Sequence, residues 1–223
     1  MSFNTFGTKK RTYGGNTPVW LGPVRPMPFG GVLASGYLKD GVVIPAGTPV
    51  KFDSGTITPL LAFEVVAYTA PTGQDTDGIL QIKPCLGHVP TTSDFIMKLG
   101  NSFSSTGKAS AISAVAENAT TAGTYDLTVT HANLDTCTVG DICVLSSAVA
   151  GGSTKSVKIV PNGYLYNDIC ANGIDLSEEN AAATGAVVNF HGGGLLIARN
   201  PIGSAIADKL QVQIPNVILI KGV

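Results

Sequence analysis

Three stretches of this sequence carry residue types that could do chemistry. His191-Gly192-Gly193-Gly194 has the make-up of the glycine-rich oxyanion loops of some esterases. Such a loop works only beside a G-x-S-x-G turn that presents a serine nucleophile, and the sequence contains none. The stretch reads instead as a hairpin turn between strands at 186–190 and 195–199. Residues 151–156, GGSTKS, hold the letters of a phosphate loop without the spacing G-x-x-x-x-G-K-[ST], which is what lets backbone N–H groups surround a phosphate. They read as a linker. Glu178 and Glu179 are adjacent, so on a helix they point about 100° apart and do not form the facing carboxylate pair of a glycosidase. Their place is the first turn of a helix, where negative charge complements the dipole.

The remaining reactive side chains are scattered. His88, His131 and His191 share no ligand spacing. Cys85, Cys137, Cys143 and Cys170 form no C-x-x-C pair and no zinc pattern, so they read as small buried thiols; a Cys137–Cys143 disulfide is left open. No cofactor, no metal and no enzymatic activity is expected. Lys9-Lys10-Arg11 is a basic cluster with no basic face behind it, a weak nucleic-acid signal that fits docking onto an acidic protein surface as well.

Composition narrows the classes further. The 223 residues are 44% hydrophobic and 13% charged, against about a quarter charged in ordinary domains. Such a chain must bury much of its surface in a core or against partners. A net charge of −1 argues against non-specific nucleic-acid binding, which needs a clustered positive field. It also opposes self-association only weakly. No apolar run approaches the roughly 18–20 residues of a spanning helix, and no apolar h-region follows the first basic cluster. The expectation is a chain made in the cytoplasm that stays soluble or joins something large, with no membrane partner.

The elements that must position any site fall into an arm and a β-rich body. Residues 1–38 carry Lys9, Lys10, Arg11 and Arg25 but no acid; the first carboxylate is Asp40. Pro18, Pro23, Pro26 and Pro28 exclude helix there and interrupt any strand ladder. Residues 1–36 therefore read as an extended N-terminal arm, held on another surface by Trp20, Tyr13, Phe3 and Phe6; the alternative is that it packs back on its own domain. Lys9, Lys10, Arg11, Tyr13, Trp20 and Arg25 are the candidate docking residues.

From residue 37 short apolar runs bounded by Gly, Pro, Asp, Ser or Thr read as strands: 42–44, 50–52, 60–66 and 78–82, a first β part over 37–104. Pro49 suggests that the strand at 50–52 meets a sheet edge. Residues 105–150, rich in Ala, Thr and Ser, read as an inserted β module with alternating runs at 109–115, 125–130 and 141–146; otherwise they continue the same sheet. The second β part, 151–223, gives a strand at 155–160 and a short helix at 175–185. It ends in a helix through Ile206, Leu210 and Ile214, closed by Pro215, and a strand at 217–220.

The stretch DGVVIPAGTPVKFD (40–53), followed by FEVVA (63–67) and the strand at 78–82, resembles the decoration-type proteins of tailed bacteriophage heads. TGKASAISAV (106–115) with YDLTVTHANLDTCTVGDICVLSS (125–147) and PNGYLYNDI (161–169) resembles head-fibre or auxiliary capsid proteins of Bacteroides phages and their crAss-like relatives. The closing order of helix, Pro215 and NVILIKGV (216–223) is similar to the end of the lambdoid decoration fold. The resemblance implies a mainly β fold: a small decoration-protein-like β domain with one or two short helices, an inserted β module and the arm. It further implies a virion protein on the capsid surface, a homotrimer bound to the major capsid protein and within reach of other head proteins. The long arm and the 105–150 segment depart from the compact lambdoid form and leave room for a projecting fibre. The alternative function is a head-fibre or adhesin-like module that binds host-surface glycans. Aromatics, however, are only 7% and scattered, with Tyr164 and Tyr166 the closest pair.

Overall fold

The computed structural model describes residues 20–21, 30–34, 38, 42–73, 75–147, 155–170, 184–185, 187–188, 194–196, 202 and 206–220. They form strands β1 to β17 in chain order and two short helices. The protein is mainly β.

Six consecutive strands close into a barrel: β6 (Ala62–Thr69), β7 (Asp77–Pro84), β8 (Phe95–Lys98), β9 (Ala109–Glu117), β10 (Tyr125–Thr130) and β11 (Ile142–Leu145), in the order β10-β7-β6-β11-β8-β9. β9 returns to β10 through the pairs Tyr125↔Glu117 to Val129↔Ile112. The sequence explains the wall. In β7, Leu80 and Ile82 are buried while Asp77, Ile79 and Lys83 are exposed, the period-two pattern of a strand with one wet face. Inward-facing Phe63, Val65, Leu80, Ile82, Ile96, Leu127, Val129, Cys143 and Leu145 belong to a single apolar cluster. The side formed by β6, β8 and β11 is covered outside as well: Ala62, Met97, Ile142 and Val144 belong to a second cluster with Ile206, Leu210 and Ile214. Those three line one face of α2 (Ala207–Gln213) and its two caps, the spacing-four face read from the sequence. Burial on both faces is why β11 is apolar at every position. Helix α1 (His131–Leu134), a single turn too short to show a helical period, follows β10 directly.

A second sheet flanks the barrel, in the order β14-β2-β5-β4-β12-β15. Its strands are β2 (Gly31–Leu33), β4 (Pro49–Asp53), β5 (Thr56–Pro59), β12 (Gly163–Leu165), β14 (Thr184–Gly185) and β15 (Val187–Val188). The barrel thus lies between β5 and β12 in the chain, so an inserted β unit exists with limits of 62 and 145 rather than 105 and 150. The sequence boundary cuts between β8 and β9, which pair through Phe95↔Ala111 and Met97↔Ala109. The shift towards Ala, Thr and Ser after residue 105 marks the more exposed wall of the barrel, not a new unit.

Other expectations change in detail. β2 pairs with β5 and β14, so the body reaches back to residue 31, beyond the last arm proline; the arm is shorter than 1–36. β4 is central, paired with both β5 and β12. Pro49 is tolerated because it is the strand's first residue. The turn before it is built as its residues demand: Gly47 takes φ 83°, a conformation glycine adopts without strain, and Thr48 Oγ1 donates to Pro45 O at 2.7 Å. Residues 155–160 are not a strand; Lys155 and Val157 make only isolated bridges, to Gly107 and Ser146. Residues 175–183 lie outside the described residues, and Thr184–Gly185 is a strand rather than the end of a helix.

Candidate docking surface

Of the six candidate docking residues, Lys9, Lys10, Arg11, Tyr13 and Arg25 lie outside the described residues. Trp20 is described, and the structure seats it on its own domain. β1 (Trp20–Leu21) pairs antiparallel with β16 (Gly194–Leu196), which runs parallel to β17 (Ile218–Ile220) in a three-stranded sheet. The indole N–H donates to Tyr166 O at 3.1 Å. The ring meets Tyr164 edge-on, with centroids 6.3 Å apart, and lies 6.4 Å from the ring of Tyr166. An indole held in this way, with its polar end already bonded, fixes the root of the arm to the body. Trp20, read as an anchor on another surface, here finds ring partners 144 and 146 positions along its own chain, as in the alternative that this part of the arm packs back on its own domain.

The floor of this cluster is firm. Tyr164 is fully buried and sits in β12 opposite Pro49 and Val188. Leu165 N donates to Thr48 O at 2.9 Å, Gly47 N donates to Leu165 O at 2.7 Å, and Ala46 N donates to Asp168 Oδ1 at 2.6 Å. The PAGT turn is thus clamped to the Tyr164–Asp168 segment that carries Trp20. Burial pushes the Tyr164 phenol well above its ordinary value, and its hydroxyl has no hydrogen-bond partner among the described residues. Tyr166 is exposed.

A second group of polar and sulfur side chains, not recognised as a group from the sequence, collects at the barrel end beside α1. Tyr68 Oη and His131 Nδ1 share a hydrogen bond, and the two rings stack at an interplanar angle of 8°. Burial, then Cys137 and Asp135, push the Tyr68 phenol up. Lys98 and Asp141 form an ion pair at 2.7 Å. Burial alone would raise the Asp141 carboxyl, but its bonds from Lys98 and Thr138 prevail and hold it below its usual value. His88 stands apart; burial lowers its pKa against the opposing pull of Asp94. The Cys85 thiol is pushed up to about 11 by burial and by Glu64. His191, Glu178 and Glu179 lie outside the described residues. Among the described residues no group of three or more His, Cys, Asp or Glu side chains could hold a metal ion, and no helix is long and apolar enough to cross a membrane.

No family model, curated protein or solved structure matches the chain.

Proposed function

We propose that this chain is a structural virion protein, one that binds the outer surface of a phage capsid as a homo-oligomer, a trimer, and stabilises or decorates the shell. The observation that carries the reading is a contrast within the chain. Its first 38 residues are acid-free and punctuated by proline, and they are rooted at Trp20 on a charge-poor β body. The residues before Trp20 supply reach, and Lys9, Lys10 and Arg11 steer them towards acidic residues of the major capsid protein. A contact of about 1,600 Å² supports specific association, and repeated copies on a lattice add avidity.

Deletion of residues 1–19 tests this without disturbing Trp20. The shortened chain should keep its far-UV circular dichroism and unfolding midpoint and lose co-sedimentation with the phage shells that the full chain binds. Undiminished occupancy of the shells would overturn the docking role of the arm.

A second reading, a head-fibre or adhesin-like module that binds glycans, draws on one specific observation. Trp20 and Tyr166 place two partly exposed aromatic rings side by side, and sugars stack on such faces. A glycan array probed with the full chain and with Tyr166→Ala separates the readings: a specific signal lost in Tyr166→Ala favours the glycan module.

A further inference from the structure

The barrel end beside α1 holds two thiols that the docking proposal leaves unused. Cys143 lies in β11 opposite Phe63 of β6 and Lys98 of β8, and its side chain is fully buried in the barrel cluster. Cys137 belongs to the same cluster and is 5% exposed. It follows α1, its N–H donating to Leu134 O at 3.0 Å. The loop between the two cysteines is folded back onto the wall. Lys98 Nζ, on the residue opposite Cys143, donates to Thr136 O at 2.8 Å and pairs with Asp141 at 2.7 Å. Thr138 N donates to Asp141 Oδ2 at 2.7 Å, and Gly140 N donates to Val65 O at 2.9 Å. These contacts fold the loop that carries Cys137 back over β11, so both thiols sit buried in one cluster at this end of the barrel, and each shifts the pKa of the other.

We propose that Cys137 and Cys143 form a modification site: an intrachain dithiol that a peroxide converts to a disulfide, stapling the loop after α1 to the barrel wall. Cys137 is the attacking sulfur. It is the less buried of the two, and the Cys143 thiol bonds to it in a way that favours its thiolate, aided by the Lys98 ammonium and opposed by burial, Asp141 and Asp135. That bond, burial, the charge on Cys137 and Asp141 push the Cys143 thiol up against the pull of Lys98 and keep it protonated. In the first step the Cys137 thiolate attacks the peroxide; an S–O bond forms, the O–O bond breaks, and hydroxide leaves to become water. In the second the Cys143 sulfur attacks the sulfenic sulfur; the S–S bond forms, the S–O bond breaks, and water departs with the Cys143 proton. The two sulfurs lose two electrons between them and hydrogen peroxide is reduced to two waters. The staple also ties the turn that carries Val139, 73% exposed at the tip of this loop, to β11. It is independent of the capsid reading, because it requires only that the folded chain meet a peroxide.

The test uses the reduced full chain, folded, with a small excess of hydrogen peroxide, followed by alkylation of remaining thiols and mass spectrometry. Cleavage before Asp141 separates the two cysteines, so their peptides stay joined only where the disulfide has formed. The expected result is a joined Cys137 and Cys143 peptide pair in monomeric chain, reversed by dithiothreitol, and an unfolding midpoint higher by roughly 5 °C. Cys143→Ser should leave Cys137 to progress to sulfinic acid and should abolish the rise. Separate alkylated peptides after peroxide, sulfinic acid at Cys137 in the native sequence, or a link to Cys85, Cys170 or another chain would each overturn the proposal.

Discussion

The barrel and the flanking sheet are two solutions to one problem, the burial of short apolar strands. The barrel takes an uninterrupted run of chain, residues 62–145, with strands of four to nine residues, and its closure leaves no edge. The flanking sheet gathers strands of two to five residues from 31–59 and from 163–188 and, among the described residues, ends at β14 and β15. Every pairing of the barrel lies within residues 62–145, whereas the sheet also needs contacts that span more than a hundred positions, such as Tyr164↔Pro49. The difference teaches where change is tolerated. The barrel is the closed body, and the sheet is where the PAGT turn meets the Tyr164–Asp168 segment that carries Trp20.

The largest effect should come from emptying the barrel. Phe63 is buried inside it, and Phe63→Ala should cost about 3–5 kcal/mol, read from urea unfolding, because the closed wall cannot collapse into the cavity. Gly31→Ala should break the other region selectively. A Cβ there would stand 2.7 Å from both Ile57 Cγ1 and Phe52 Cε2, an overpacking that costs about 1–3 kcal/mol. Amide exchange should accelerate in β2 and β5 while β7 and β10 stay protected; equal loosening of both would refute the division.

Asp141 gives the comparison a pH axis. Its folded pKa lies below the ordinary Asp value, so its contribution is present above the unfolded pKa, near 4, and fades as pH falls through the folded one. As pH falls below the unfolded Asp value of about 4, the native chain should lose stability more steeply than Asp141→Asn, which is already weaker at neutral pH. Parallel pH profiles would show that the Lys98–Asp141 pair does not hold the loop. The smallest effect is expected at Tyr164, whose buried hydroxyl lacks a partner among the described residues. Tyr164→Phe should leave stability unchanged or raise it by up to about 1 kcal/mol; a clear loss would show that the hydroxyl is bonded.

Much of the barrel is legible in the sequence because its strands alternate. β10 is read with its observed limits, and β7 and β9 with theirs slightly shortened. The helix through Ile206, Leu210 and Ile214 is legible for the same reason, a burial period that matches its geometry. β8 and β12 are missed because, at four and three residues, they are too short to show a period. The limits of the inserted unit are missed because they depend on pairings such as Phe95↔Ala111, which composition does not encode. The candidate sites follow the same rule. The basic cluster and Trp20 are visible as residue types, but the seat of Trp20 rests on Tyr166, 146 positions away. The fold of the Cys137 loop onto β11 rests on Lys98, opposite Cys143 and bonded to Thr136 O, which no spacing rule would join to the cysteines.

The central claim, that this chain is a shell-bound virion protein, is tested most directly by a symmetric reconstruction of the phage particle that contains it. The account predicts barrels clustered in threes on the outer capsid surface, with the chain before Trp20 running onto the major capsid protein. A chain absent from the shell, or present with the residues before Trp20 touching only their own body, would contradict it.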